Sequence, residues 1–288
     1  MKLSIITINR NNAAGLEKTL KSVASQTCKG FEHIIVDGAS TDNSVDVIKK
    51  YESSLSTLKT SHSIKWISEP DKGIYNAMNK GIKMAEGEYV QILNSGDCLA
   101  NDSVVENMSQ ALKDNDNPDF LFGNMIKVWP DGLKYKPEYN KRSDYTMFDF
   151  YFGPLDHDGA YIKRNLYEKL GFYDESLKIC ADWKWIINAV VFNGVKPVHA
   201  DVDTILFDMT GISENNGRQK ELINKEKRLI WEGVLHPKVL ADYDLYANDI
   251  LMMRRIHGSK IAYKLVWLIE RCLFKSEKKR NKSKFFYR

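Results

Sequence analysis

Cysteine and long apolar runs are both scarce in this chain of 288 residues. The four cysteines form no CxxC pair, so their spacing indicates neither a zinc site nor a disulfide framework, and we expect a reducing compartment. No apolar run approaches the roughly 20 residues of a membrane-spanning helix. The apolar run at the N-terminus is too short for the core of a signal peptide. We therefore expect a cytoplasmic protein.

Glycine-rich phosphate-binding loops are also missing. The first apolar segment is followed by NRNNAAG, which lacks GxGxxG, and GxxxxGK[ST] occurs nowhere. A bound diphosphate would therefore need more than backbone N–H groups to hold it.

Acidic residues are scarce in the last 35 residues. Arg254–Arg288 carries 12 Lys and Arg against two acidic residues, a net charge of +10, and the other 253 residues carry −6. A slightly acidic body is not typical of a nucleic-acid-binding domain, so we expect no nucleic-acid partner. The basic tail instead favours contact with an anionic surface.

The first hundred residues alternate between apolar segments and segments with helical spacing of apolar residues. Strands are predicted at Leu3–Ile8, Glu32–Asp37, Ile64–Ser68 and Tyr89–Leu93, and helices at Ala13–Gln26, after Thr41 or Asp42, and at Ile74–Ala85. This alternation predicts an α/β fold with a mostly parallel sheet and helices on both faces.

The second half has a less regular pattern. The predicted elements are a helix over Asp102–Asp114, one or two strands within Phe120–Trp129, a helix ended by Gly171, a helix starting near Asp182, two short apolar stretches at Pro197–Ala200 and Thr204–Phe207, and helices after Gly211.

Polar side chains follow the predicted strands of the first half. They are Thr7 and Asn9, Asp37, Glu69 with Asp71, and Asn94 with Asp97. The carboxyl ends of parallel strands meet at one edge of an open sheet, where ligands bind. Mg²⁺ or Mn²⁺ accepts both carboxylate and phosphate ligands, so Asp97 is a candidate metal ligand. Turn chemistry is the alternative for Asp97, and for Asp37 and Asp71 as well.

Four segments together resemble the family-2 glycosyltransferases, including those of colanic-acid and exopolysaccharide biosynthesis. The segments are SIITINRN, VDGASTDNS, SEPDKGIYNAMNKGIKMAEGEYVQILNSGD and KLGFYDESLKICADWKW. The resemblance covers about residues 1–213. It implies a GT-A catalytic domain over 1–213 and leaves a helical C-terminal region with a basic tail over 214–288.

The resemblance also implies roles for individual residues. Asp182 would be the catalytic base and Asp97 the metal ligand, while helix capping is the alternative for Asp182. The implied contacts to the nucleotide-sugar donor are Thr7, Asn9, Asp37, Asp71, Lys72 and Asn94. His157 would contact acceptor or phosphate, with a structural histidine as the stronger alternative. Trp183 and Trp185 are expected in the core, with sugar stacking as the alternative.

Three positions depart from the family pattern. Asn94 and Gly96 stand where the family often has acids, which weakens the case for a carboxylate contact to the ribose. Gly38 replaces the second of two adjacent acids after Asp37.

The implied reaction is transfer of one sugar from a nucleotide-sugar donor to a hydroxyl acceptor, in bacterial cell-surface polysaccharide biosynthesis. UDP is the favoured nucleotide, and the acceptor is a saccharide or a lipid-linked molecule. One base and no enzyme nucleophile imply inversion, and the QxxRW signature of processive synthases is missing. A sugar nucleotidyltransferase is an alternative, but NRNNAAG lacks its glycine-rich loop. A non-catalytic nucleotide-binding scaffold is another, which the presence of both Asp97 and Asp182 disfavours.

The tail has an amphipathic pattern. Ile261, Leu265, Leu268 and Cys272 recur at helical spacing, and the basic segment Lys275–Lys284 follows. A basic amphipathic helix lies in a membrane interface rather than spanning it. We therefore expect peripheral binding to the anionic inner face of the plasma membrane, with docking on the catalytic domain as the alternative.

Overall fold

A computed structural model of the chain describes residues 3–28, 30–58, 62–137, 144–153, 155, 158–211 and 219–273, with the backbone alone at 56–58 and 270–273. No helix in these ranges is long and apolar enough to cross a membrane. The chain divides into two compact units, 1–228 and 229–288. The predicted boundary after residue 213 lies outside the described residues.

Nine strands and ten α-helices make up the described part of the chain. The strands are β1 Leu3–Asn9, β2 Glu32–Asp37, β3 Ser63–Ser68, β4 Tyr89–Ile92, β5 Cys98–Leu99, β6 Phe120–Val128, β7 Lys134–Tyr135, β8 Tyr161–Lys163 and β9 Pro197–Asp208. The helices are α1 Ala13–Ala24, α2 Ser44–Leu58, α3 Ile74–Met84, α4 Val104–Asp114, α5 Met147–Phe152, α6 Arg164–Leu170, α7 Ala181–Ile187, α8 Lys220–Val234, α9 Pro237–Gly258 and α10 Lys260–Leu273.

The strands form one sheet in the order β3-β2-β1-β4-β8-β6-β9-β5, and β7 pairs with β6. The first four strands are parallel, with Ile6 of β1 opposite both Ile34 and Ile92. This confirms the βαβ units predicted from the alternating segments. Every residue of β1 and β2 is buried, as expected of strands covered on both faces.

The second half of the chain makes the sheet mixed. Strand β8 is antiparallel to both β4 and β6, so β6 and its parallel neighbour β9 run in the same direction as the first four strands. The two short apolar stretches near residue 200 belong to one strand of 12 residues, Pro197–Asp208, which has an irregular register opposite Asn124. Its carboxyl end therefore lies at the same sheet edge as the ends of β1–β4.

Helices cover both faces of the sheet. On one face, α1 and α2 bury an apolar cluster that consists of Leu16, Leu20, Ile35, Ile48, Tyr51 and Leu55. Full burial of one such aliphatic side chain contributes about 1.5–3 kcal/mol. Helix α3 approaches β1 closely, since a Cβ at Gly81 would lie 2.3 Å from Cγ2 of Ile6. That contact leaves no room for a larger residue at position 81.

The second unit contains the end of α8 with α9 and α10. Helix α9 begins with Pro237, which suits the first helical position because proline lacks the unpaired N–H. Helix α10 leaves large apolar side chains exposed, among them Ile261, Leu265 and Leu268 at 76%, 56% and 49%. The helix predicted in the tail is therefore present and amphipathic. The basic segment after it lies outside the described residues.

Candidate functional site

Asp37 is the centre of a hydrogen-bonded cluster at the ends of β1, β2 and β3. Its carboxylate accepts hydrogen bonds from Nδ2 of Asn9 at 2.8 Å, from Oγ of Ser68 at 2.7 Å, and from both the N–H and Oγ of Ser40 at 2.9 and 2.5 Å. Burial alone would raise the pKa of Asp37, but these hydrogen bonds outweigh it and lower the pKa below its usual value. The cluster therefore holds a fixed negative charge at the sheet edge.

Gly38 makes room for a second carboxylate beside Asp37. A Cβ at Gly38 would lie 2.2 Å from Oδ2 of Asp71. Oδ1 of Asp71 accepts the N–H of Gly73 at 3.0 Å and lies 3.8 Å from the Arg10 guanidinium. The resemblance implies an acid at position 38, and here the carboxylate of Asp71, from the loop after β3, occupies the space next to that position. The neighbouring Lys72 is exposed.

Thr7 lies in the interior of the sheet. Its Oγ1 is 2.9 Å from Nε2 of His33, whose Nδ1 is 3.0 Å from the hydroxyl of Tyr51. That hydroxyl is 2.9 Å from Nε2 of His62. The side chain of Thr7 thus belongs to a buried polar network under the sheet edge, and its role in donor binding stays a prediction.

Asp97 is a buried carboxyl at the turn after β4, with 5% of its surface exposed. Its Oδ1 accepts the N–H of Asp208, the last residue of β9, at 2.8 Å. Burial raises the pKa of Asp97 to about 8; this hydrogen bond opposes the rise, while the carboxylates of Asp158 and Asp208 add to it. Asp208 is not among the residues predicted from the sequence, although it directly follows the apolar stretch Thr204–Phe207 and so obeys the same strand-end rule as Asp97.

The surroundings of Asp97 fit a divalent cation. Within the residues that the structure describes, no three His, Cys, Asp or Glu side chains are arranged as a complete metal site. The buried carboxyl group of Asp97 nevertheless lies near the half-buried carboxylates of Asp158 and Asp208, which repel it, and such a group of oxygen ligands is the environment that Mg²⁺ or Mn²⁺ relieves, with phosphate oxygens as further ligands. Oδ1 of Asn94 is also buried here and accepts no hydrogen bond from the described residues. Asp97 is therefore the residue best placed to hold such an ion.

Asp182 lines a small cavity together with Asn94 and Asp158. The cavity has a volume of about 30 Å³. Tyr75 of α3 donates to Oδ1 of Asp182 at 3.1 Å, and the N–H of Trp183 donates to the same oxygen at 2.7 Å. Asp182 is the second residue of α7, whose N-cap is Cys180, and its carboxylate accepts an N–H group of the first turn. Its role as the base stays a prediction.

The aromatic residues of α7 belong to the core, as predicted. Trp183 and Trp185 are 3% and 4% exposed. The ring of Trp185 stacks on Tyr167 at 4.5 Å, and its Nε1 donates to the carbonyl of Gly171 at 2.7 Å. These contacts give Asp182 a rigid support. His157, the predicted acceptor or phosphate contact, lies outside the described residues.

Comparison with known proteins gives one family for most of the chain. The model of glycosyl transferase family 2 matches residues 4–181. An uncharacterized glycosyltransferase of Mycobacterium tuberculosis is 30% identical over 219 residues, which cover 74% of this chain and 77% of the relative. A Mycobacterium bovis protein named PGL/p-HBAD biosynthesis glycosyltransferase is 27% identical over 189 residues, covering 64% of this chain and 68% of the relative.

Solved structures have a similar fold. TarS of S. aureus, residues 1–349 in complex with UDP-GlcNAc, has a TM-score of 0.62 at 22% identity, covering 80% of this chain and 65% of that one. The mannosyltransferase PcManGT of Pyrobaculum calidifontis, in complex with GDP-Man and Mn²⁺, has a TM-score of 0.58 at 17% identity, covering 92% and 78%. At these identities the similarity concerns the fold, which is of the GT-A type predicted from the sequence.

Proposed function

As this chain belongs to glycosyl transferase family 2, we propose that it transfers one sugar from a nucleotide-sugar donor to a hydroxyl group with inversion. A UDP-sugar is the favoured donor, since solved structures of similar fold contain UDP-GlcNAc as well as GDP-Man. The relative named for PGL/p-HBAD biosynthesis supports an acceptor in cell-surface glycolipid or polysaccharide synthesis.

One observation supports this reaction above the others. One small cavity is lined by Asn94 from the end of β4, by Asp158, and by Asp182 from the start of α7. A candidate donor contact and a candidate base therefore lie at one opening. Transfer to an acceptor requires this arrangement, because the attacking hydroxyl and the sugar must meet in the same space.

The donor side would use the fixed charges at the sheet edge. Asp71 would offer carboxylate oxygens to the hydroxyl and N–H groups of a nucleoside, with Lys72 beside it. Asp37 is fully buried and accepts four hydrogen bonds, so it would support the donor site through the side chains that it fixes, Asn9 among them. Asp97 would hold Mn²⁺ or Mg²⁺, which supplies Lewis-acid stabilisation of the charge on the departing diphosphate. Asp208 and Asp158 would add negative charge next to that ion.

The acceptor side would use Asp182. Its carboxylate accepts the proton of the attacking hydroxyl as the new glycosidic bond forms and the bond to the diphosphate breaks. Tyr75 and the N–H of Trp183 both donate to Oδ1, so Oδ2 is the oxygen that we assign to the acceptor proton. With one base and no protein nucleophile, attack from the face opposite the diphosphate inverts the anomeric carbon.

Two substitutions separate donor binding from proton transfer. Asp97→Asn should abolish the metal-dependent binding of UDP, measured by calorimetric titration with Mn²⁺. Asp182→Asn should leave that binding near normal and lower the transfer rate by roughly two to four orders of magnitude, the usual effect of losing a general base. Unchanged UDP affinity in Asp97→Asn, or lost affinity with full turnover in Asp182→Asn, would contradict the respective assignment.

We also infer that the C-terminal helices bind an anionic membrane surface on which a lipid-linked acceptor lies. Ile261, Leu265 and Leu268 are exposed on α10, and Lys260 and Lys264 lie on the same helix. An amphipathic helix of this composition enters the interface with its apolar residues while its lysines contact anionic headgroups. The net charge of +10 over the last 35 residues strengthens that attraction.

A further inference from the structure

The backbone just before Asp182 is held by a buried carboxylate from a distant helix. Glu226 of α8, only 4% exposed, accepts three consecutive backbone N–H groups. Oε1 accepts from Lys178 at 2.6 Å, and Oε2 accepts from Ile179 and Cys180, both at 2.9 Å. Three successive donors converging on one side chain leave these peptide groups little freedom to rotate.

Two further contacts join the same part of α8 to the start of α7. Sγ of Cys180 lies 4.0 Å from the carbonyl oxygen of Ile223. The ammonium of Lys227 lies 5.3 Å from the centre of the Trp183 ring, within the range of a cation–π interaction. Helix α8 thus contacts the residues immediately before and after Asp182.

Tyr75 holds the same segment from α3. Its hydroxyl is 2.5 Å from the carbonyl oxygen of Ile179 and 3.1 Å from Oδ1 of Asp182. The peptide groups on both sides of Ile179 are therefore fixed, through their N–H groups by Glu226 and through a carbonyl by Tyr75. Asp182 follows Ile179 by three residues, so its side chain leaves the backbone directly after this fixed segment.

We propose that Glu226 is a positioning residue that holds Asp182 at the distance from which it accepts the proton of the acceptor hydroxyl. The inference rests on the proposed role of Asp182 as the base. A general base works only within hydrogen-bond reach of its proton, and a misplacement of about 1 Å can lower a rate about 100-fold. Glu226 lies beyond the residues that match the family model, which end at 181. A residue outside the matched range thus holds the last residues within it, Lys178, Ile179 and Cys180, next to Asp182.

A glutamine cannot replace this carboxylate. If its Oε1 accepted from Ile179 and Cys180, its NH₂ group would face the N–H of Lys178, and two donors would oppose each other. Glu226→Gln should therefore release the segment 178–180, while the volume of the side chain at position 226 stays nearly the same. Glu221→Gln is the matched control, because Glu221 lies exposed on the same helix. Glu226→Asp keeps the charge but withdraws it by one methylene and should give an intermediate result.

The first measurement is amide hydrogen exchange in the full-length protein, which needs no substrate. In Glu226→Gln the amides of Lys178, Ile179 and Cys180 should lose protection, while they keep it in Glu221→Gln. Exchange that stays at the wild-type level in Glu226→Gln would overturn the proposal, because the segment would then be held by other contacts.

The second measurement is a double-mutant cycle on UDP release from UDP-GlcNAc with Mn²⁺, or on GDP release from GDP-mannose if that donor is cleaved faster. We expect Glu226→Gln to lower kcat about 10–100-fold with a donor KM within about twofold of wild type. Added to Asp182→Asn, it should lower kcat no further, because residues that act as a unit are not additive. If the kcat losses of the two single variants multiply in the double variant, Glu226 has only a general structural role.

The two proposals fail in different ways. If Asp182→Asn lowers kcat and Glu226→Gln leaves it unchanged, only the positioning role is lost. If Asp182→Asn retains full kcat, the assignment of the base is wrong and the role of Glu226 falls with it.

Discussion

At the scale of a single residue, burial of the Asp97 carboxyl group lowers the free energy of unfolding at neutral pH, although the same group is the proposed metal ligand. Its pKa is raised to about 8 by burial, whereas in the unfolded chain it would have an ordinary value near 3.8. Between about pH 4 and pH 8 the unfolded chain has released this proton and the folded chain retains it. The free energy of unfolding therefore decreases as the pH rises through this range. Sites built to bind a ligand commonly carry such a cost.

Asp97→Asn should remove this cost. At pH 7.5 without divalent metal we expect its Tm to rise by at least roughly 2–4 °C, because a shift of several pKa units costs more than 1 kcal/mol and each 1 kcal/mol changes the Tm of a domain of this size by about that much. Near pH 4 the two melting temperatures should lie much closer together, because the unfolded-state carboxyl group is then roughly half protonated and most of the cost has disappeared. Thermal melts with EDTA at both pH values test this, and Asp102→Asn at an exposed position is the control. A variant that melts lower at pH 7.5 would contradict the origin assigned to the raised pKa.

At the scale of secondary structure elements, a polar network connects β1, β2 and α2 under the sheet edge. His33 is fully buried between Thr7 and Tyr51. Burial lowers the pKa of His33 to about 3, and nearby His62 acts in the same direction. The unfolded chain takes up a proton as the pH falls through 6.5, and the folded chain does so only near pH 3. Acidification over this range therefore lowers the free energy of unfolding.

Comparison with His33→Gln should isolate this effect. Between about pH 6 and pH 4, the free energy of unfolding of the wild type should fall, relative to the variant, by about 1.4 kcal/mol per pH unit. Asp97 contributes with the opposite sign in both proteins and cancels in the difference. Urea unfolding at several pH values provides the measurement, with exposed His257→Gln as control. Parallel curves for wild type and His33→Gln would mean that the buried histidine is already protonated in the folded state.

At the scale of the whole molecule, the acidic body and the basic tail predict where the protein lies in the cell. The full chain should float with phosphatidylserine-containing vesicles at low salt, and it should be released as salt screens the charges. Leu265→Glu combined with Leu268→Glu should abolish flotation, whereas Leu245→Glu, at an exposed position on α9, should not. Equal behaviour of the two variants, or flotation with phosphatidylcholine alone, would argue against an anionic interface as the partner.

The sheet as a whole contains strands that the sequence predicts and strands that it does not. The first half followed from local patterns, because each strand of a parallel sheet is a continuous apolar run and each crossover helix has its own spacing. Strands β5, β7 and β8 have only two or three residues, too few for a periodicity. Strand β9 is hard to predict because two acidic residues, Asp201 and Asp203, interrupt its apolar pattern. In the structure both accept a hydrogen bond from Nδ2 of Asn124 on β6. These two acidic side chains fit within the sheet because a residue of the neighbouring strand pairs with them.

The candidate site likewise contains residues that the sequence predicts and residues that only the structure identifies. The strand-end rule found Asn9, Asp37, Asp71, Asn94 and Asp97 because the signal lies within a few residues of each strand. Tyr75 and Glu226 contact the segment before Asp182 from 104 and 46 to 48 positions away along the chain. No local pattern marks such residues, so contacts to the segment that carries the proposed base are found only when the fold is known.

The place of β9 in the sheet also has a consequence for synthesis on the ribosome. Most of β6 pairs with β9, yet roughly 70 residues separate the end of one from the start of the other. At roughly 5–20 residues per second, the nascent chain would carry an incomplete sheet edge for about 4–14 s. Pairing over such a separation is slow, and an open strand edge invites association with other chains. Translation speed between residues 128 and 197 is therefore expected to influence how much of this protein reaches its native state.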